Sequence, residues 1–364
     1  MNATERVMAA LSFQKPDRIP LFDSYWPEFI AAWRQAKQVP GDGVDADAPG
    51  AADALQAYYG VDFRLAAAIE APWPSREEEL SRDGDVVTQR DSWGRVTRKR
   101  ADAKFYEEIE LPVRERSKIT SLKFESPTLD CRYEDSLQRI AALQARPQPP
   151  CIFAKVGGPY LRTSNLRGIE QWLIDIAEDP GFAAELAEQV TDHIIQVGLE
   201  SLRRANLYET GILIADDIAY NPGVLIGPSS YERIFLPLMH KMIQTFKAAG
   251  ARKVLMHSDG NIRAVLDGLV EAGLDGIHPV EPKAGMDVLA LRAQYGHRLA
   301  LIGGLDNAHV LPRGSDEDVR RHVLPRLEAG RDGGLVIGSH SIGPDISVDR
   351  YDYFVSLIRE TAEG

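Results

Sequence analysis

The 364-residue chain contains only two cysteines, Cys131 and Cys151, and neither lies in a CxxC pair. Two cysteines are too few for a disulfide framework, and this count predicts a reducing, cytoplasmic setting. Basic residues are also in the minority, since 42 Lys and Arg oppose 54 Asp and Glu and give a net charge of −12. This negative net charge argues against nucleic acid or an anionic membrane surface as the main binding partner. No apolar run approaches the length of a transmembrane helix, so the sequence predicts no membrane span.

Several common catalytic motifs are missing as well. The chain has no GxSxG, no P-loop and no GxGxxG, and its glycine pairs within 156–160 and 303–307 lack the spacing of a dinucleotide site. The adjacent Asp216 and Asp217 point to opposite faces of a strand, which disfavours a glycosidase with two carboxylates across one bond. Any chemistry in this chain must therefore come from other combinations of side chains.

Short apolar runs alternate with helical patterns along most of the chain. Eight of these runs read as strands, most of them followed by a helix: IPLFD (19–23), VDFRLA, CIFAKV, ILIADD, KVLMHS, LDGIHP, LALIGG and GLVIGS. Strands that alternate with helices predict a parallel sheet, and eight such units predict a (β/α)8 TIM barrel, which is an α/β fold. A single domain over residues 1–364 accommodates all eight units.

Two segments depart from this alternation. Residues 84–113 carry β-forming residues around a Trp-Gly turn and predict a small antiparallel β insertion on the barrel. Residues 39–51 are rich in Gly, Asp and Ala and predict a loop. Among the helical patterns, residues 229–250 predict one continuous helix and residues 348–361 predict the last helix.

Four potential metal ligands fall at the ends of predicted strands: His257, Asp259, Glu281 and His340. In a parallel α/β barrel the carboxyl ends of the strands build the active site. His257 and Asp259 are two residues apart, so their side chains point the same way on an extended backbone. Mixed histidine and carboxylate ligands suit a divalent ion such as zinc. The sequence therefore predicts a metal site at the mouth of the barrel.

Each of these residues also has a purely structural interpretation. His257 can be a buried histidine that donates to Asp259 without any metal, and Glu281 can cap the helix that follows it. His340 can serve only the loop in which it lies. The sequence also leaves open whether Ser339 or His340 faces the inside of the barrel.

Other polar residues near strand ends are candidates for holding a substrate. Lys155 ends a predicted strand, and Arg162 and Arg167 follow it, so these cations could hold a carboxylate or a phosphate. Solvated charges and pairing at a helix start are the structural alternative. Tyr220 lies in the loop after ILIADD, where it can close over a substrate or simply pack against the protein.

A family resemblance rests on an ordered set of motifs: MNATERVMAALSFQKPDRIP, DDIAYNPGVLIGPSSYERIFLPL, VLMHSDGNI, GLDGIHPVEPKAGMD, IGGLDN and GGLVIGSHSIGPDIS. Together they resemble the uroporphyrinogen decarboxylase superfamily over nearly the whole chain. The resemblance implies a (β/α)8 barrel with its cleft at the carboxyl ends of the strands, and a homodimer. Decarboxylases of this superfamily work without a cofactor and hold substrate carboxylates with an arginine-rich N-terminal stretch. Here that region reads LFDSYWPEFIAAWRQ and lacks the paired arginines.

The motif HSDGN is similar to the His-x-Cys-Gly motif of the zinc-containing, cobamide-dependent methyltransferases of the same superfamily. In this resemblance His257 matches the motif histidine and Asp259 takes the place of its cysteine. Glu281 falls where the family has a glutamate, and the family's last cysteine lies near Ser339 and His340. The resemblance thus implies a methyltransferase whose metal ligands are nitrogen and oxygen instead of thiolate.

The implied reaction is methyl transfer from a small donor, such as a methoxylated aromatic compound that undergoes O-demethylation, to a corrinoid. In this scheme His257, Asp259 and Glu281 hold a zinc ion, His340 completes its shell or donates a proton, and Asp217 orients the substrate. A separate partner protein would carry the corrinoid (cobalamin), since the chain shows no module of its own for it. The alternatives are uroporphyrinogen decarboxylase in porphyrin biosynthesis and a non-catalytic barrel that binds a tetrapyrrole or a corrinoid.

Overall fold

The computed structural model describes residues 1–39, 50, 52–103 and 105–362. The predicted loop 39–51 lies outside these residues, apart from its positions 39 and 50. In sequence order the strands of the described chain are β1 (Phe63–Ala67), β2 (Glu78–Asp83), β3 (Val86–Arg90), β4 (Val96–Arg100), β5 (Glu107–Glu110), β6 (Cys151–Gly157), β7 (Gly211–Ala215), β8 (Ala219–Tyr220), β9 (Gly223–Val224), β10 (Lys253–His257), β11 (Gly276–Val280), β12 (Ala300–Gly304) and β13 (Leu335–Gly338).

The α-helices of the same residues are α1 (Ala3–Leu11), α2 (Pro27–Lys37), α3 (Asp53–Tyr59), α4 (Glu134–Gln144), α5 (Pro159–Arg167), α6 (Ile169–Glu178), α7 (Pro180–Ala205), α8 (Pro228–Ile234), α9 (Leu236–Ala248), α10 (Arg263–Glu271), α11 (Val288–Tyr295), α12 (Val310–Arg313), α13 (Asp316–Gly330) and α14 (Val348–Ala362). Short 3-10 helices occupy Pro74–Arg76, Arg116–Ser121, Asp130–Arg132 and Pro282–Ala284. Among the helices that the structure describes, none combines the length and the apolar character needed to cross a bilayer.

Seven strands of the described chain form one parallel sheet, in the order β1-β6-β7-β10-β11-β12-β13. Helices connect these strands, as the alternation of short apolar runs with amphipathic segments predicts. The sheet curls so that alternate side chains meet inside it, where Phe63, Phe153, Leu213, Leu255 and Val336 pack in one buried cluster. The predicted α/β architecture with a parallel sheet is confirmed.

The predicted eighth strand, IPLFD, is not a regular strand, and this part of the prediction is wrong. Leu21 makes one isolated parallel bridge with Ile337 of β13. The segment still contacts both edges of the sheet, because the Phe22 N–H donates to the Ile337 carbonyl and the Asp62 N–H donates to the Leu21 carbonyl, each at 2.9 Å. Pro20 has no N–H to donate, so a ladder of backbone hydrogen bonds cannot extend through it. The regular sheet is therefore open and has seven strands instead of eight.

The predicted antiparallel insertion is present and larger than expected. Strands β2 to β5 form a four-stranded antiparallel sheet, and the Trp-Gly turn lies between β3 and β4. Gly94 in this turn has a φ of +80°, and a Cβ there would come within 2.9 Å of the Trp73 ring. The insertion begins at Glu78 because β2 pairs with β3, although every side chain of β2 is exposed. Without a buried face, EELSRD has no alternation of apolar and polar residues by which to predict a strand.

The helix predicted over 229–250 is divided into α8 and α9, with a break at Phe235. Pro237 has no N–H to donate to the carbonyl of Arg233, four residues earlier, so the hydrogen-bond series of one continuous helix is interrupted. The last helix, α14, agrees with its prediction.

Candidate active site

Three polar side chains meet at the carboxyl ends of the strands. His257 is the last residue of β10, Asp259 follows two residues later, and His340 lies two residues after β13. Asp259 Oδ1 lies 3.6 Å from His257 Nε2 and 3.3 Å from His340 Nε2. One ligand atom from each residue falls within 4.8 Å of the other two. The structure therefore brings together three of the four predicted metal ligands.

The alternation of side chains along the strands places these groups. Phe153, Leu213 and Leu255 point into the barrel, so Lys155, Asp217 and His257, each one or two alternations further along, face its mouth. One glycine fixes how closely the neighbouring hairpin approaches. Gly260 has a φ of +81°, and a Cβ there would lie 2.6 Å from the Tyr220 carbonyl oxygen. A side chain at position 260 would push the β8–β9 hairpin away from the site.

The two adjacent aspartates behave as the strand geometry predicts. Asp217 Oδ1 lies 3.4 Å from His257 Nε2 and accepts the Asp259 N–H at 3.3 Å. Burial pushes the pKa of Asp217 upwards, but the hydrogen bond and charge of His257 outweigh it and leave that pKa below its usual range. Asp216 points the other way, is fully buried and accepts the N–H groups of Tyr160 and Leu161 at the start of α5. Asp217 alone of this pair faces the site.

Glu281 lies beside the three-residue group and is not one of its members. Its Oε2 accepts the Gly260 N–H at 2.8 Å, and its Oε1 lies 3.5 Å from His340 Nδ1 and 3.1 Å from Lys283 Nζ. Glu281 thus contacts the nitrogen of His340 that faces away from Asp259. Lys283 was not predicted from the sequence, where a lysine after a Glu-Pro pair looks like an ordinary surface charge.

His340, and not Ser339, faces the site. Ser339 is fully buried, and its N–H and Oγ–H donate to Asp23 Oδ1 at 2.7 and 2.8 Å. Tyr351 donates to the other oxygen of Asp23 at 2.8 Å and lies 2.7 Å from the Tyr25 hydroxyl. Burial raises the pKa of Asp23 to about 7, although these hydrogen bonds oppose the shift. The network anchors the backbone from which His340 projects.

An Asp23→Asn substitution should change how stability depends on pH. The unfolded chain releases the Asp23 proton near pH 4, whereas the folded chain keeps it until about pH 7. The wild type therefore loses up to about 4 kcal/mol from this group as pH rises from 4 to 7, and no more above pH 7. Asparagine has no such titration, and its amide can donate to the Tyr351 oxygen. Chemical denaturation at pH 4.5, 6 and 8 should show that the free energy of unfolding of the variant increases relative to that of the wild type as pH rises. The same pH dependence of this free energy in both proteins would contradict the burial argument.

Two of the residues predicted to hold a substrate, Lys155 and Arg162, lie near each other at this end of the sheet. Lys155 is half-buried, and its ammonium has no hydrogen bond or ion pair with the described residues. Burial first, and then the charge of Arg162, lowers the pKa of Lys155. Arg162 is itself held by Glu70, at 2.5 Å between Nε and Oε1, and lies over the Trp93 ring. Two cations thus lie near each other, and only one of them has a carboxylate partner.

Tyr220 and Arg167 have different outcomes. Tyr220 is exposed on the β8–β9 hairpin and lines a cavity of about 470 Å³ together with Asp259, Glu281, Lys283 and His340. Arg167 is buried and forms an ion pair with Asp175, at 2.5 Å between Nε and Oδ2, so it does not take part in the site. Its role is to join α5 to α6.

The donor atoms suit a zinc ion. Ligand atoms at about 2.0–2.1 Å from a tetrahedral zinc lie about 3.3 Å from one another. The separations from Asp259 Oδ1 to the two histidine nitrogens, 3.6 and 3.3 Å, are close to this value. Asp259 Oδ1 is buried and accepts no hydrogen bond from any residue that the structure describes. A buried carboxylate oxygen without a donor is stabilised by a cation, so the residues fit the ion.

Comparison with known proteins places the chain in a family. The family model described as Uroporphyrinogen decarboxylase (URO-D) matches residues 105–361, well over half of the chain. No curated protein matches the sequence significantly. The solved structure of a methyltransferase from Methanosarcina mazei is similar over 99% of this chain and 99% of its own, with a TM-score of 0.72 and 16% sequence identity, which establishes a shared fold. From the extent of the family match, the chain belongs to the uroporphyrinogen decarboxylase family.

Proposed function

We propose that this protein is a methyltransferase that uses a zinc ion to move a methyl group from a small donor to a corrinoid carried by a separate protein. The observation that carries the proposal is the convergence of His257, Asp259 and His340, with separations suited to zinc, at the carboxyl ends of the strands. The fold shared with the methyltransferase from Methanosarcina mazei supports the reaction class.

The donor set favours a methyl group attached to oxygen. Two imidazole nitrogens and one carboxylate oxygen leave the ion harder and more electrophilic than thiolate ligands would. A hard ion binds an ether oxygen in preference to a soft sulfur atom. A methyl ether, such as a methoxylated aromatic compound, is therefore the donor class that we propose.

Zinc, when bound, would act as a Lewis acid on the ether oxygen and stabilise the negative charge of the leaving group. In the proposed transfer the methyl carbon–oxygen bond of the donor would break, its electron pair would stay on the oxygen as a phenolate, and the methyl group would pass to the corrinoid of the partner protein. The new cobalt–carbon bond would use the two electrons of Co(I), so the step would need no external oxidant or reductant. A demethylated phenolate and a methylated corrinoid are the products.

Residues around the ion would position the donor. Asp217 remains ionised beside His257 and can accept a hydrogen bond from the substrate. Lys155, whose ammonium has no partner among the described residues, suits an anionic end of the donor, and Arg162 adds positive charge beside it. Tyr220 lines the opening on the hairpin. His340 can also return a proton to the phenolate, and Glu281 holds its second nitrogen.

The test is a spectral assay of the purified protein with a Co(I) corrinoid protein and a methoxylated benzoate, run beside an assay with uroporphyrinogen. We expect the Co(I) spectrum to disappear only when the methyl ether, the protein and zinc are all present. Conversion of uroporphyrinogen without metal would establish a decarboxylase instead. Tight corrinoid binding without turnover of either substrate would establish a carrier.

A further inference from the structure

A second histidine lies directly behind the candidate metal ligand His257. His278 lies on β11, is only 6% exposed, and is the register partner of His257 across the parallel pair β10–β11. Its Nδ1 lies 2.7 Å from His257 Nδ1, and the two rings stack with centroids 4.9 Å apart. The Phe22 ring packs on His278 at 5.0 Å between centroids. The pair is therefore held in a closely packed interior.

Two imidazole nitrogens at 2.7 Å must share one proton, so one ring donates and the other accepts. An ion bound at His257 Nε2 needs the lone pair of that nitrogen, so the single proton of the neutral His257 ring then lies on Nδ1, which is 2.7 Å from His278 Nδ1. A neutral His278 with its proton on Nε2 accepts at Nδ1. His257 then donates from Nδ1, and its Nε2 presents a lone pair towards Asp259 and Asp217.

We propose that His278 is a positioning residue, which accepts the Nδ1 proton of His257 and so keeps His257 Nε2 free to bind the metal ion. This inference rests on the proposed zinc site. Metal-binding histidines generally donate their second N–H to a carboxylate, a carbonyl or water, which fixes the tautomer and the ring orientation. Here the acceptor is a neutral imidazole on the neighbouring strand.

The choice of acceptor has an electrostatic reason. The site already contains the carboxylates of Asp217 and Asp259, and Glu281 lies beside His340. A further buried carboxylate behind His257 would add a negative charge that repels them. A neutral acceptor fixes the same tautomer and leaves the net charge at the ion unchanged.

Two substitutions of His278 distinguish its role as a hydrogen-bond acceptor from its role in filling the interior. His278→Leu fills the interior and removes the acceptor, whereas His278→Asn retains an amide oxygen close to the position of Nδ1. Zinc affinity is measured by competition with a chromophoric chelator at pH 7.5, for wild type and both variants. We expect the Leu variant to bind zinc about 10- to 100-fold more weakly, and the Asn variant to stay within about threefold of the wild type.

A second readout follows the proton itself. In the zinc-loaded wild type, ¹H–¹⁵N spectra should show a slowly exchanging His257 Nδ1 proton, which the Asn variant retains. Thermal denaturation of the metal-free proteins checks that each variant is folded. If the Leu variant is not folded, the His257 Nδ1 proton signal of the wild type and the Asn variant tests the inference.

The outcomes distinguish this inference from the function on which it rests. Equal zinc affinity in all three proteins, or an equal loss in both variants, overturns the role of His278 and leaves the zinc site standing. A His257 proton on Nε2 in the loaded wild type overturns it as well. A wild type that binds no zinc overturns the metal-dependent function, and the inference about His278 with it.

Discussion

Replacing His257 by alanine is expected to remove the metal ion and methyl transfer together. The substitution deletes one of three converging ligands and leaves only Asp259 and His340 facing each other at 3.3 Å. A two-ligand site does not hold zinc firmly. The zinc content of protein purified without chelators should therefore fall from about one ion per chain to less than about 0.1. Loss of the Lewis acid removes several kcal/mol of transition-state stabilisation, so the rate should fall at least about a thousandfold.

His240→Ala is the matched control for this experiment. His240 is exposed on α9, outside the site, so the same chemical change there should leave both metal content and rate unaltered. Elemental analysis and the Co(I) assay are run on both variants and the wild type. Full turnover by His257→Ala would contradict the proposal that methyl transfer is metal-assisted. Loss of turnover with zinc retained would instead give His257 a role in acid–base chemistry.

A large loss of stability is expected from Asp62→Ala. Asp62 is 3% exposed and accepts hydrogen bonds from Arg6, Arg18 and the Leu21 N–H at 2.7–2.9 Å. Its removal leaves two partly buried guanidinium groups and a buried backbone donor without their shared partner. Breaking a buried ion pair in this way costs about 3–5 kcal/mol of the free energy of unfolding. A shift of the denaturant midpoint to lower concentration measures this loss.

Asp17→Ala provides the comparison, because Asp17 pairs with the same Arg6 at 2.6 Å but is 38% exposed. Water screens an exposed pair, so this variant should lose less than about 1 kcal/mol. Similar losses in the two variants would show that burial does not govern the strength of this network. A smaller loss in Asp62→Ala than in Asp17→Ala would contradict the central place of the buried Asp62 carboxylate in this network.

The parallel sheet was predictable because each of its strands is a short, largely apolar segment. Strands buried on both faces need such segments, and those that became β6, β7 and β10 are plain in the printed sequence. Irregular pairing leaves no comparable pattern. Residues 19–23 have the composition of a strand, yet Pro20 reduces their pairing to one bridge and a few hydrogen bonds. A sequence shows that a proline is present, but not how many backbone hydrogen bonds the residues around it still form with neighbouring strands.

The candidate site was predictable to the extent that its residues follow strand ends. His257, Asp259 and His340 satisfy that rule, and the structure brings them together. His278 escaped notice because it lies inside the strand GIHPV and was read as part of the apolar run. Its inward direction was available from alternation, but its contact with His257 depends on the register between two strands, which sequence alone does not specify.

The contacts of residues 19–23 with the end of β13 also impose an order on biosynthesis. Asp23 bonds to Ser339, 316 residues further along the chain. At translation rates of about 5–20 residues per second, roughly 15–60 s pass between synthesis of these two residues. During that interval the backbone groups that will later meet β13 have no partner, and such edges are where nascent chains associate wrongly. His340 is made one residue after Ser339, so a nascent chain acquires the last of the three converging site residues together with the contacts that join residues 19–23 to β13.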